Sequence, residues 1–220
     1  MKTNFKKIIK HMYDESILKP ISKIHGKCFL KNTNFTIISN NCWGGTVYRD
    51  YGLEYYSPTV GMYFFAEEYI KFLRNIRSYM TMEPHFIDFT KSKYYNYMLE
   101  NNHETNILIA LIGDVEIVFL HYKSKEEAFN KWERRKKRIN WDNMIVKFND
   151  QNLCTEELIN EFDKMNFKNK ICFTAKPYNN LNTVIVFDEF LNEHYVLSDT
   201  KKKIYRKYIN TTKYINFMNR

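Results

Sequence analysis

A thiol, an indole and two glycines follow one another in Asn40-Asn41-Cys42-Trp43-Gly44-Gly45, directly after Phe35–Ser39, which reads as a strand. Open α/β sheets keep their ligand sites where strands give out. A thiol there, near a helix N-terminus, has its pKa lowered and becomes a nucleophile. Glycine amides at such a turn come close to a ligand and cradle phosphate or an oxyanion, and Asn side chains donate to the same group. The competing reading is a cysteine that serves as a small buried hydrophobe beside a tight turn. Neither GxGxxG nor GxxxxGK[ST] is present, so no nucleotide fingerprint is satisfied.

The second stretch, His121 to Asn140, is HYKSKEEAFNKWERRKKRIN. Ser124 with Glu127 forms a capping-box pattern, and basic residues fill the last turn, where the helix dipole favours cations. That accounts for the charges but not for the choice of arginine. Of eight arginines in the chain, Arg134, Arg135 and Arg138 lie within five residues. The guanidinium fork suits phosphate or carboxylate. Trp132 shares a face with Arg135, where an indole could stack on a sugar or base; pairing with the domain's own carboxylates is the alternative. His121 and Tyr122 stand at the end of the preceding strand.

The third stretch, Tyr55-Tyr56-Ser57-Pro58 with Gly61, offers two rings beside a rigid bend. There is no DxD, HExxH or GxSxG, and no two histidines have ligand spacing on one element, so no metal site is expected.

Helices are expected over 66–80, 125–139 and 155–165, with a shorter one in KYYNYMLE and helical pattern again from Lys201. Strands are expected at 35–39, at HFIDF after Pro84, and at 107–112, 115–121, 144–148, 171–174 and 183–187. Gly113-Asp114 between β-branched runs signals a hairpin. The 39–61 region reads as a glycine-containing loop and a turn-rich connection. Alternation of strands and helices gives an α/β fold with a mostly parallel sheet and one antiparallel hairpin. One domain is expected over 1–220, an N-terminal helical segment (1–34) preceding the rest (35–220). That segment places Phe5, Ile8, Ile9, Met12 and Tyr13 at helical spacing among lysines, a pattern that packs on its own domain or lies on an anionic membrane surface.

The chain has 220 residues, 44% hydrophobic and 17% aromatic, enough for a full-sized core. No apolar run is long enough to span a membrane, and the N-terminus lacks the pattern of a secretory signal. Four separated cysteines without paired spacing fit a reducing cytoplasm. The net charge of +9 invites a polyanion, but a Lys-, Asn-, Ile- and Tyr-rich composition places much of it in surface lysines. Nucleic acid is not the expected partner.

ISNNCWGG, then YYSPTVG, then FLHYKSKEEAFNKWERRKKRINWDN, in that order and at those separations, resemble an uncharacterised bacterial domain-of-unknown-function family whose members often carry the name exopolysaccharide biosynthesis protein. The resemblance implies a three-layer α/β arrangement and a role in bacterial surface-polysaccharide assembly, without an established reaction. Its motif positions here include Asn41, Cys42, Trp43, Gly44, Ser57, Pro58, His121, Tyr122, Trp132, Arg135 and Arg138.

The leading expectation is a cytoplasmic transferase-like protein, possible at the inner membrane surface, that binds an activated sugar or phosphosugar without a cofactor. Asn40, Asn41, Gly44 and Gly45 would cradle the anionic group with Arg135 and Arg138, while Ser57 and Tyr122 line the site. Trp43, Tyr56 or Trp132 would stack on the ring, and His121 would act as base. The first alternative is a thiol hydrolase or acyltransferase with Cys42 as nucleophile and His121 as base. The second is a non-catalytic scaffold of a polysaccharide assembly complex, which requires no convergent polar groups.

Overall fold

The alternation of side chains along each strand decides how the molecule is layered. The structure, a computed structural model, describes residues 28–178 and 180–218; the amphipathic pattern at Phe5–Tyr13 lies outside the described residues. Strands β1 (Thr36–Ser39), β6 (Met144–Asn149), β7 (Asn169–Thr174) and β8 (Val184–Val186) form a parallel sheet in that spatial order. Ile37, Ile145, Ile171 and Phe173 point to one face, where α1 (Trp43–Asp50) and the C-terminal helices α7 (Tyr205–Tyr208) and α8 (Thr211–Met218) cover them. Ile38, Val146, Phe148 and Cys172 point to the other, against α2 (Ala66–Arg74) and α6 (Glu156–Lys164).

The expected hairpin is present, turning at Gly113 with φ +61°. It belongs to a second sheet of four antiparallel strands in the order β2 (Met62–Tyr63), β5 (Val115–Phe119), β4 (Leu108–Ile112), β3 (Pro84–Ile87). Ala110, Ile112, Ile117 and Phe119 face the core shared with α2 and with α5 (Lys125–Lys136). Ile109 and Val118 face away, under Met98 of α4 (Tyr95–Glu100). The α/β assignment and the parallel sheet stand as expected, and the antiparallel sheet extends them. Helix α2 joins the two: its Tyr69 hydroxyl reaches the carbonyls of Ile38 (3.0 Å) and Lys147 (2.9 Å), while Lys71 donates to the Asp114 carbonyl of the hairpin.

Three elements differ from expectation. The 66–80 helix is two, α2 and α3 (Ile76–Tyr79), broken at Asn75 with φ −140°, a residue type that competes poorly for helix interiors. Strand β2 is too short for its alternation to be read. The largest difference is α1, eight residues starting WGG where a glycine loop is expected. Glycine costs about 1 kcal/mol relative to alanine in a helix, which makes the stretch read as loop. Packing overrides propensity here: a Cβ on Gly44 would stand 3.0 Å from Ile37 Cγ2, and one on Gly45 2.9 Å from Val60 Cγ1. The glycines let α1 lie close against β1 and the 57–61 segment. They are packing positions of a helix rather than a free phosphate loop.

Candidate active site

Asn41 shapes the turn after β1. Its Oδ1 accepts from the Trp43 backbone N–H (3.1 Å) and from Lys147 Nζ (3.0 Å), and its Nδ2 donates to the Asp199 carboxylate (3.0 and 3.1 Å). Lys147 and Asp199 form an ion pair, both side chains almost fully buried. The turn so fixed delivers Cys42 to the N-cap of α1. From the other sheet, β5 ends at Phe119, and the backbone N–H groups of Leu120 and His121 both donate to the Gly61 carbonyl (3.0 and 3.2 Å). Gly61 has φ +84°, and a Cβ there would meet the Tyr122 ring at 3.2 Å, so two independent constraints require glycine. The Cys42 sulfur thereby stands 3.6 Å from Nε2 of His121.

Val60 ties in the third stretch. Its carbonyl accepts from the Tyr122 hydroxyl (2.5 Å) and from Arg135 Nη1 (2.9 Å), and Arg135 Nη1 also donates to the Tyr122 oxygen (2.8 Å). The Arg135 guanidinium stacks over Tyr55 at 4.8 Å, and its Nε is buried without a partner. The three sequence motifs therefore meet at Val60-Gly61.

A cavity of about 320 Å³ opens at this junction. Cys42 and His121 stand in its wall with Arg49, Lys131 and Arg135, and no carboxylate lines it. Arg49 follows Gly45 by one turn of α1 and donates to Thr46 Oγ1, at 3.4 Å. Lys131 precedes Arg135 by one turn of α5 and pairs with Glu127 at 2.5 Å. The cavity wall thus carries three cationic side chains, one of them paired, and no carboxylate, which suits an anion. Among the described residues, no group of three or more His, Cys, Asp or Glu side chains is placed to hold a metal ion.

The resting state of the thiol departs from the sequence expectation. Burial, then the Asp199 carboxylate, push the Cys42 pKa up, while Lys147 and Arg49 pull it down. Desolvation of the charged form is the larger of the two raising influences. Cys42 is therefore mainly a thiol at neutral pH and needs a base to become a nucleophile.

Residues 13–219 match the family described as "Domain of unknown function (DUF1919)". The chain belongs to this family. A Haemophilus influenzae relative with the name "Uncharacterized protein" is 34% identical over 149 residues, which is 68% of this chain and 66% of that one. The match thus spans just under two thirds of the relative's length.

Within this DUF1919 domain the expected site residues divide sharply. Cys42, His121, Tyr122, Arg135 and Gly45 converge on the cavity. Trp43 and Trp132 are wholly buried; Trp43 packs edge-on against Phe173 and Tyr205. Neither indole can be a platform for a ligand ring, and an aromatic residue in a helix beside a core is more easily explained as core. Asn40 is buried, donating to Asn149 Oδ1 (2.7 Å), so it links strand ends instead of binding a ligand. Ser57 is buried on Thr59 (3.0 Å). Tyr56 is half-buried against the core cluster that holds Trp43 and does not line the cavity, and Gly44 lies against Ile37. Arg138 faces Glu54 at 3.5 Å, away from the cavity wall. Of the two rings the third stretch offers, Tyr55 is the one in the cavity wall; Arg49 and Lys131 are the residues sequence reasoning missed. Arg49 was hidden because its helix was read as loop; Lys131 was discoverable as the i−4 neighbour of Arg135.

Among the described residues, no helix is long and apolar enough to cross a membrane.

Proposed function

We propose that this protein is a thiol-dependent group-transfer enzyme acting on an acyl substrate that carries an anionic group. The observation that carries the reading is the 3.6 Å approach of the Cys42 sulfur to His121 Nε2 in the wall of a cation-lined cavity. Nucleophile and base from distant parts of the chain, brought within reach in a concave site, are the requirement for covalent catalysis.

Arg49, Lys131 and Arg135 bind the anionic group. His121 Nε2 takes the thiol proton as sulfur attacks the carbonyl carbon. The first-turn N–H of Gly45 has no intrahelical acceptor and supports the oxyanion. Collapse breaks the bond to the leaving group, which takes the proton from His121, and a thioester on Cys42 remains. Water or an alcohol then attacks that carbon, passing its proton to His121 and onward to the departing sulfur. Because the resting thiol is protonated, His121 is a true general base here, as in serine enzymes.

A second reading shares the cavity. The cationic wall equally suits the phosphate of an activated sugar or phosphosugar, with Cys42 and His121 flanking it. The setting of cytoplasmic surface-polysaccharide assembly comes from the motif resemblance. Loss of Trp43, Tyr56 and Trp132 as ring platforms weighs against this second reading; of the two tyrosine rings in the wall, Tyr55 is covered by Arg135 and Tyr122 has Lys131 over its face.

The test is intact-mass spectrometry of the protein after incubation with acyl-coenzyme A thioesters and acyl phosphates, beside a thermal-shift screen with sugar nucleotides and sugar phosphates. A hydroxylamine-labile adduct, absent in Cys42→Ala, is expected. Stabilisation by a sugar nucleotide without any adduct would favour the second reading. No adduct and no stabilisation at millimolar concentration would remove both.

A further inference from the structure

Cys42 stands in the wall of two cavities. The second, of about 270 Å³, shares only Cys42 with the first and differs in chemistry. Its polar walls are the amides of Asn41, Gln151 and Asn152 with Ser198, Thr200 and His103. Its one carboxylate, Asp199, is already neutralised by Lys147. A lining of neutral donors and acceptors selects a neutral ligand with hydroxyl groups, since an ion would find no counter-charge.

Exposed leucines in the lining or next to it in sequence add a second property. Leu120 lines the cavity and is 40% exposed; Leu153, next to Asn152, is 50% exposed, and Leu197, next to Ser198, is 49% exposed. Leu153 also has φ +64°, directly after Asn152 at +56°. Left-handed backbone costs a residue with a Cβ free energy, and a leucine held that way returns none of it when its side chain is in water. The Asn152 conformation has a structural use, since its carbonyl accepts from Ala66 N–H and its amide donates to the Phe64 carbonyl. Among the described residues, Leu153 belongs to no hydrophobic core cluster. A polar cavity lined by the half-exposed Leu120 and flanked in sequence by the exposed Leu153 and Leu197 fits a ligand with a hydroxyl-bearing head and an apolar extension.

We propose that this second cavity is the acceptor site of the transfer reaction and takes a neutral amphiphilic alcohol, its hydroxyl group beside Cys42 and its apolar portion on Leu153 and Leu197. The inference rests on the thiol-transfer reading above. The acceptor oxygen attacks the thioester carbon, its proton goes to His121, the carbon–sulfur bond breaks, and the sulfur recovers the proton. The products are an ester and the free thiol, with no net redox change.

The experiment separates binding from chemistry. Isothermal titration of Cys42→Ala with n-octyl β-glucoside, below its micellar concentration, is compared with glucose. Saturable one-site binding of the octyl glycoside is expected, with glucose much weaker. Leu153→Gly and Leu197→Ser each weaken the glycoside by about tenfold, the loss of most of a leucine contact, and leave glucose unchanged. Leu153→Gly keeps or raises the melting temperature, because glycine suits the positive φ, so lost binding is not lost folding. Non-saturable binding, or affinities within twofold across the variants, overturns the proposal. Saturable binding without a Cys42 adduct leaves the second site standing and removes the thiol reading. A Cys42 thioester whose turnover the glycoside does not accelerate removes the acceptor site alone.

Discussion

Nε2 of His121 and the sulfur of Cys42 approach to 3.6 Å although 79 residues separate them, and the two come from different sheets. The contact depends on two turns, one shaped by Asn41 and one by Gly61. Because burial and Asp199 hold the Cys42 thiol above its ordinary pKa, its alkylation by iodoacetamide is expected to be slow at pH 7 and to rise with pH beyond the range of a free cysteine. The isosteric Asp199→Asn removes a charge that raises the pKa and speeds alkylation at neutral pH. A rate that levels off below pH 8 in the native protein would instead indicate a resting thiolate–imidazolium pair and overturn the general-base mechanism.

Arg135 and its neighbours in the cavity wall separate structure from binding. Arg135 is 5% exposed and holds the Val60 carbonyl and Tyr122 hydroxyl. Arg135→Met is expected to cost about 2–3 kcal/mol in urea denaturation, the scale of a charged hydrogen bond lost in a buried setting. Arg49→Met and Lys131→Met change stability by no more than about 1 kcal/mol, since Arg49 is exposed and Lys131 makes an i,i+4 pair with Glu127 and a cation–π contact 5.4 Å from the Tyr122 ring centre. They nevertheless reduce the stabilisation given by pyrophosphate and the preference of Cys42 for iodoacetate over iodoacetamide. Unchanged preference in both variants would show that the cavity charge does not act at the thiol.

Much of this arrangement was legible before any coordinates. The hairpin turn at Gly113, the Ser124 cap of α5 and the Thr155 cap of α6 are local signals, and their hydrogen bonds are as the sequence suggests. Cys42, His121 and Arg135 stood out because a thiol at a strand end, an imidazole at another and an arginine where lysine would serve are each unusual. What stayed hidden is non-local. Gly44-Gly45 reads as loop until Ile37 and Val60 are seen to occupy the space of their missing Cβ atoms. With α1 unread, Arg49 had no direction. Trp43 and Trp132 were taken for ligand platforms because a sequence does not say which face of a helix the core will claim.

Gly45 gives a way to test the α1 packing directly. Alanine there gains up to about 1 kcal/mol of helix propensity, but its Cβ would overlap Val60 Cγ1 at 2.9 Å. Val60 in turn leads to Gly61, on whose carbonyl His121 hangs. Gly45→Ala is therefore expected to lower Cys42 reactivity toward an acyl donor by more than its effect on stability implies. Val60→Ala combined with it restores reactivity, and a double-mutant cycle measures the coupling. Additive effects would mean that Gly45 and Val60 do not share the space.

His103 supplies a pH dependence with a definite sign. Burial lowers its pKa below the ordinary 6.5, so between the folded and unfolded values the unfolded chain binds more protons. Stability is full above about pH 7. It declines as pH falls through the unfolded value, and the decline ends once the folded value is passed. Its Nδ1 lies 3.2 Å from the Tyr63 hydroxyl. His103→Gln, which retains a hydrogen-bonding side chain, is expected to flatten the melting temperature between pH 7 and 5. An unchanged slope would assign the acid sensitivity to other groups.

The Lys147–Asp199 pair sits beneath the Cys42 turn, and burial lowers the Lys147 pKa while Asp199 opposes that shift. A buried pair is not a gain in itself, because desolvating two charges offsets much of their attraction. Its use here is orientation: Lys147 donates to Asn41 Oδ1 and Asp199 accepts from Asn41 Nδ2, so the pair fixes which way the Asn41 amide faces and with it the N-cap position of Cys42. Lys147→Met alone leaves a buried carboxylate unpaired and is expected to cost about 3–5 kcal/mol. Lys147→Met with Asp199→Leu recovers most of that stability. The double variant should still be impaired in forming a Cys42 adduct, since Asn41 has lost both partners. Restored stability together with full reactivity would show that Asn41 needs neither charge, and that its bonds to the Trp43 N–H, Ser39 Oγ and Gln151 Oε1 set the turn.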